Sequence, residues 1–450
     1  MNPRHIRAGV ALGAILAVAL AVGAVGAGGA QAANAATDWN LVAVDTLVNL
    51  PGPAGGAPPA SQVNVGMTQG AVFDAVNAID RRYKPYLLTR RFPAGASKDA
   101  AVATAAYTVL AHIVSTVPAS IPFPTRGAVL ASLASRYAAS LAAIPDSFSK
   151  THGIEAGDAA AAAMIAARQS DGRFSGSQWV PNTAPGHWWP LLTPTGQPIL
   201  DPTPWVGLMR PFVLQSSSQF RTPGPPALTS AAWAQDFNEV KAIGSANSAV
   251  RTATQTYIAR WWQSNPVASW NDVARQLVAG YGLDLADTAR LLAMENLSGA
   301  DAAINCWNDK YFWDFWRPWN AIPRAAEDGN PATAPDPTWT ALITAPYPEA
   351  PSGHNCLDVA HTRVLQMVLG TDAPPGGYRI TSVSTLLNPA DPRTRSFASF
   401  SQALTELIEA RIWAGLHYRF ADVQGQGLGR NVADYTMANY FQRLGTFGGR

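Results

Sequence analysis

Charge is scarce in this sequence. Lys, Arg, Asp and Glu make up 14% of 450 residues, and the formal net charge is +2. A surface that reads nucleic acid needs a basic face or stripe, so the composition argues against that partner. Any strongly positive site must be local. Cysteine is almost missing: only Cys306 and Cys356 occur. That excludes a disulfide-dense scaffold and leaves either one bridge or two buried thiols. Alternating strand patterns are nearly absent, no fixed-period repeat is visible, and beyond the N-terminus no run of 18 apolar residues exists.

What is present is apolar and helical. Hydrophobic residues reach 48%, with 15 Trp, which is ample for a large core. Arg4 and Arg7 precede an Ala/Val/Leu run from Ala8 to about Ala27. Ala30-Gln31-Ala32 and Ala33-Asn34-Ala35 then fit a small-x-small cleavage rule. The expectation is a signal peptide over 1–32, a secreted or extracytoplasmic mature chain and no stable membrane insertion after cleavage. A retained anchor is the alternative. Val129, Leu133, Tyr137 and Leu141 recur every four residues, and Val72, Val76 and Ile79 do likewise, which predicts helices there. Further helices are expected around 229–243, 268–281, Leu283 to about Asn320, and 396–420. Pro/Gly-rich connectors separate them, including a long segment from Pro181 to Pro226 whose His187-Trp188-Trp189 is unlike a linker. The fold class is all-α with long ordered loops.

One stretch, KYFWDFWRPWNAI (Lys310 to Ile322), crowds five aromatics between Lys310 and Trp316, with Arg317 just beyond. Apolar rings seek a core and cations avoid one unless paired. Two cations seven residues apart fall on one face of a continuous helix, with Pro318 marking or kinking its end. A second piece is Pro351-Ser352-Gly353-His354-Asn355, a serine or glycine N-cap whose free amides and dipole favour an anion. A third is Arg411 with His417. On a regular helix they stand about 120° apart, unless the helix ends near His417. Alone, each piece has a bland reading: a surface helix, an ordinary cap, a packed histidine. Together they supply three cations, a hydroxyl, a backbone donor and two histidines, the inventory for a charge-compensated oxyanion.

In order and spacing these motifs resemble the vanadium-dependent haloperoxidases, whose fold and oxyanion site are shared with type-2 phosphatidic acid phosphatases and class A acid phosphatases. The matching residues are Lys310, Arg317-Pro318, Pro351-Ser352-Gly353-His354, Arg411 and His417. Two positions depart from the pattern. Ala410 stands where the family has serine, and Ala421 where it has the aspartate that orients the histidine, leaving Asp422, Asp358 or a carbonyl for that task. The resemblance implies paired four-helix bundles, an N-terminal helical region over 33–284 and the site-bearing region over 285–450. It implies vanadate ligated by His417 and held by Lys310, Arg317, Ser352, Gly353, His354 and Arg411. His354 would be the acid–base, Lys310 would polarise peroxide, and Trp307 and Tyr347 would line a halide pocket. Hydrogen peroxide, halide and a small organic substrate would be the partners, with self-association left open. If the two motifs converge, Cys306 and Cys356 are expected to form a disulfide.

The alternative at the same site is a secreted acid phosphatase with a phosphohistidine at His417. A divalent-cation site at His354, Asp358 and His361, on one helix face, would leave the three cations unexplained. An exported scaffold with a relic site is the non-catalytic reading.

Overall fold

Small polar residues open the helices. The computed structural model describes residues 34–176 and 179–445, so the leader-like segment 1–32 lies outside the described residues. Asn34 caps α1 (Ala35–Val48), and two prolines start α2 (Pro58–Asp80). Ser97 caps α3 (Lys98–Ser115); α4 (Arg126–Ala142) follows, and Ser147 caps α5 (Phe148–Ala167). Ser230, Thr252 and Asn265 cap α6 (Ala231–Ile243), α7 (Ala253–Trp261) and α8 (Pro266–Tyr281), and Asp284 caps α9 (Leu285–Trp313). The short α10 (Pro318–Ala321) and α11 (Gly353–Leu369) come next. Strands β1 (Tyr378–Thr381) and β2 (Thr394–Phe397) form a small antiparallel ribbon, pairing Tyr378 with Phe397 and Thr381 with Thr394. Ser399 then caps α12 (Phe400–Trp413), and α13 (Arg419–Asn439) completes the order. At these capped ends a side-chain oxygen accepts a first-turn backbone N–H, satisfying a donor the helix cannot.

Two groups of helices meet along a central pair. Helices α2, α3 and α5 pack together with α4 against α3; α9, α11 and α13 pack together with α12 beside them; α2 and α9 join the groups. Nearly every residue of α2 from Pro59 to Ile79 is buried, as expected of a helix surrounded on all sides. The described residues from Asn34 onward cluster as one compact unit.

The α11–α13 crossing is as close as backbone allows. A Cβ on Gly425 would stand 2.8 Å from the Ser352 carbonyl oxygen, and one on Gly429 would stand 2.3 Å from that of Cys356. Only glycine permits this approach, and it presses α13 onto the first turn of α11.

The aromatic-rich stretch is not one helix. α9 ends at Trp313, and Asp314 adopts a left-handed conformation (φ 46°). Lys310 and Arg317 therefore do not share a helix face: Arg317, in extended backbone, is the N-cap of α10. Phe315 and Trp316 turn into a second core with Trp233, Phe237, Trp319, Trp339 and Tyr418, while Phe312 stays exposed beneath the guanidinium of Arg221.

Candidate oxyanion site

Helix α9 builds the floor of the site and anchors the long loop that covers it. On one face Asp301, Asn305 and Asp309 recur every four residues, and all three are buried. Asp301 accepts the backbone N–H groups of Phe212, Val213 and Leu214 at 2.6, 2.7 and 2.8 Å. Asn305 accepts that of Phe220 at 2.9 Å, and Asp309 that of Thr222 at 2.7 Å plus Arg221 at 2.8 Å. Asp201, earlier in the same loop, accepts Trp307 Nε1 at 2.9 Å and the Tyr311 hydroxyl at 2.8 Å. The Pro181–Pro226 segment is thus ordered structure fastened to α9. His187 is fastened too, its Nδ1 lying 2.9 Å from Asp314 Oδ2.

Lys310 is completely buried at the other side of α9. Its ammonium donates to the carbonyls of Pro348 (3.2 Å), Glu349 (3.1 Å) and Pro351 (2.6 Å), and it lies 5.6 and 5.2 Å from the ring centres of Trp307 and Tyr347. All three of its donors are engaged, so toward an anion it acts through its charge. Burial, and then the neighbouring Arg317 charge, brings its pKa down to about 8.

Arg317 is equally buried. Its Nε donates to the Tyr347 carbonyl at 3.0 Å and its Nη1 to that of Leu416 at 2.6 Å; Nη2 has no hydrogen-bond partner. Arg411, near the C-terminus of α12, donates from Nη1 to the Trp262 carbonyl at 3.2 Å, and its buried Nε also has none. After α12 the chain turns through Gly415 (φ 70°), so His417 lies in the α12–α13 turn and not on the helix of Arg411. That resolves the angular mismatch the spacing implied.

The Pro-Ser-Gly-His motif forms the start of α11. Ser352 is the buried N-cap but caps no amide with its side chain, and its Oγ accepts from Asn355 Nδ2 at 3.3 Å. A Cβ on Gly353 would meet the Trp307 ring at 3.1 Å, so the glycine lets the indole close over the first turn. His354 is partly buried, with Nε2 3.2 Å from the Ser264 carbonyl oxygen. The rings of Trp307 and Tyr347 stand 5.1 Å apart beside Lys310, where the resemblance implied an aromatic wall.

The orienting group for His417 is one the sequence reasoning missed. Its Nδ1 lies 3.0 Å from Glu349 Oε1, an oxygen that also accepts the Tyr418 N–H at 2.9 Å; Oε2 of the same carboxylate stands 3.2 Å from Arg317 Nη1. Asp358 instead accepts Trp270 Nε1 at 2.7 Å, and Asp422, in the first turn of α13, accepts Asn355 Nδ2 at 2.8 Å. Neither carboxylate is bonded to His417. The only advance signal was an acid two residues before Pro351 in a charge-poor segment. Burial, followed by the charges of Arg317, Lys310 and Arg411, holds the His417 pKa well below the usual imidazole value; burial and Arg411 do the same for His354. For both rings the shift favours the neutral form. Burial lifts the Glu349 pKa to about 7.

Two expectations need correction. Cys306 and Cys356 are neighbours, as convergence of the motifs required, but they are free buried thiols: Cys306 points toward the Pro351 carbonyl oxygen at 3.7 Å. The divalent-cation alternative also fails. His361 is bonded to Glu295 and Gln62, and no group of three or more His, Cys, Asp or Glu suited to a metal ion occurs among the described residues.

Residues 290–445 match the family described as the VCPO second helical-bundle domain. A vanadium chloroperoxidase of Curvularia inaequalis is 28% identical over 233 residues, which is 39% of this chain and only 37% of that protein. Among solved structures, one described as the first bacterial vanadium-dependent iodoperoxidase superposes with a TM-score of 0.71 at 21% identity, covering 91% of this chain and 98% of the other. A holo-type bacterial vanadium-dependent chloroperoxidase gives 0.67 at 16% identity over 87% and 93%. At these identities the structural likeness speaks for the fold.

Proposed function

With its second bundle belonging to the vanadium haloperoxidase family, we propose that this chain is a vanadate-dependent haloperoxidase that oxidises halide with hydrogen peroxide and so halogenates small organic molecules. The observation that carries the reading is the pair of buried, unpartnered donors, Arg317 Nη2 and Arg411 Nε, beside a neutral His417. A buried guanidinium donor without an acceptor is costly unless an anion completes it. The first turn of α11, which no side chain caps, adds backbone donors from Gly353 onward, the Ser352 N–H itself being held by the Ala421 carbonyl.

The residues therefore fit vanadate: His417 through Nε2 as the ligand, Arg317, Arg411, Ser352 and Gly353 as hydrogen-bond donors, and Lys310 as balancing charge. Bound vanadate would supply the Lewis-acid centre that activates hydrogen peroxide, whose O–O bond takes up the two electrons the halide loses. Neutral His354, at the partly open edge of the site, can take a proton from an incoming peroxide and return it to a leaving hydroxyl. Trp307 and Tyr347 exclude water and leave little space for a bulky phosphate ester next to Gly353. Trp307 also lines a 320 Å³ surface cavity with Tyr311 and Phe312, suited to a flat organic acceptor.

Export completes the reading. Asn34 caps α1 and donates to Thr288 Oγ1 at 3.0 Å, so cleavage after Ala32 would keep that cap, whereas cleavage after Ala35 would remove it. Among the described residues no helix is long and apolar enough to cross a membrane.

The test is peroxide-dependent bromination by the mature chain, with and without orthovanadate, beside hydrolysis of a phosphate monoester. Bromination that requires vanadate and is suppressed by phosphate is the expected outcome. Ester hydrolysis inhibited by vanadate, without bromination, would make the protein a phosphatase.

A further inference from the structure

We propose that Glu349 is the positioning residue of this site: its carboxylate fixes His417 as the Nδ1–H tautomer and clamps Arg317 beside it, so that Nε2 is the nitrogen left without a proton to meet the oxyanion. The proposal rests on the oxyanion reading above.

A neutral imidazole carries one N–H, and an ionised carboxylate only accepts. With Oε1 already accepting the Tyr418 N–H and lying 3.0 Å from Nδ1, the ionised carboxylate above pH 7 places the proton on Nδ1 and leaves Nε2 as the unprotonated nitrogen. The Tyr418 N–H shares that oxygen at 2.9 Å and holds it in place, while Oε2 at 3.2 Å from Arg317 Nη1 couples the cradle cation to the ligand histidine. Arg317 Nη1 itself stands 3.4 and 3.3 Å from Nδ1 and Nε2. Reaching both nitrogens nearly equally, it lies beside the ring and selects neither tautomer. Glu349 does the selecting.

The residue is itself held rigid. Its backbone N–H donates to the Phe315 carbonyl at 2.9 Å, and its carbonyl accepts the Lys310 ammonium at 3.1 Å. One fully buried residue thus ties together the ends of α9, α10 and α12 at the point where their functional side chains meet. A carboxylate on the far nitrogen also makes a ligating imidazole a stronger donor.

Glu349→Ala and the near-isosteric Glu349→Gln test this in the full mature chain, without peroxide or halide. Binding of orthovanadate and of sulfate is measured by calorimetry, and the His417 tautomer by ring-nitrogen NMR. Vanadate needs both the cradle and a correctly presented Nε2, whereas sulfate needs only the cradle charge. The wild type should show Nδ1–H. Glu349→Ala should weaken vanadate about 10- to 100-fold while leaving sulfate unchanged or tighter, because a negative charge is gone. Glu349→Gln, which keeps an acceptor, should lose less vanadate affinity and gain the same sulfate affinity; it carries the test if the alanine variant does not fold. A parallel loss of both anions would mean general damage and would overturn the proposal, as would an Nε2–H tautomer in the wild type. Wild-type protein that binds neither anion would instead refute the oxyanion reading, and the NMR tautomer would still decide the role of Glu349.

Discussion

His361 and His417 are both buried at the heart of the same helical assembly, and they teach opposite lessons. His361 sits in a mixed polar network. Its Nδ1 meets Glu295 at 3.0 Å and its Nε2 meets Gln62 at 2.8 Å. Gln62 continues to the Asn296 carbonyl, Asn296 to Asn271, and Asn271 to Asn40 on α1. The chain of bonds stitches five helices together and contains both donors and acceptors. Around His417 cations gather: Lys310, Arg317 and Arg411 crowd the histidine with Glu349, Asp422 and Asp358 nearby, and two guanidinium donors have no partner. A mixed network in which both histidine nitrogens are partnered is a way to hold a fold. Cationic donors without partners await a ligand of the other sign.

The sharpest break in that comparison is a pair of substitutions. His417→Ala should abolish vanadate-dependent bromination with little change in unfolding midpoint, whereas His361→Ala should retain the chemistry and lose about 2–4 kcal/mol of stability through stranded Gln62 and Glu295 partners. Paired activity assays and denaturant titrations would show it; comparable activity losses in both would erase the distinction. Next in size, Arg411→Ala removes one charge-compensating donor and should lower kcat on the order of 100- to 1,000-fold. A change confined to the halide KM would place Arg411 outside the cradle. Smaller again, Gly429→Ala should cost about 1–3 kcal/mol by overpacking against the Cys356 carbonyl, measured as a shift in Tm. A value near zero would show that α11 and α13 can separate freely.

The smallest expected effect is pH-dependent. Sulfate keeps its charge from pH 6.5 to 9, so only the protein titrates. As pH rises, Glu349 gains a negative charge near 7 and Lys310 loses its positive charge near 8. Both changes disfavour an anion, and sulfate affinity should fall about tenfold across the window. A flat calorimetric profile would contradict the assignment of these two groups to the anion site.

The sequence made the site's cast legible because motif residues sit at local spacings: Ser352, Gly353 and His354 are consecutive, and the helix they begin is amphipathic. The periodicity of α2, α4, α6 and α8 was equally readable. Alanine-rich α3 and α5 were not singled out, since their apolar residues show weak contrast between faces. The break at Asp314 was hidden because aromatic residues suit either a helix or a core turn. Glu349 was missed for a deeper reason. It meets His417 only because Gly415 turns the chain back, 68 residues away along the sequence, and no local spacing encodes such a meeting.

Asp301, Asn305 and Asp309 grip the covering loop mainly by its main chain, through the amides of Phe212, Val213, Leu214, Phe220 and Thr222. Main-chain amides are common to every residue except proline. Most side chains along that segment can therefore be exchanged without unfastening it, which makes it a natural place for drift in what the site admits. A screen for altered acceptor preference would do best by randomising the loop's side chains while leaving those three residues of α9 alone.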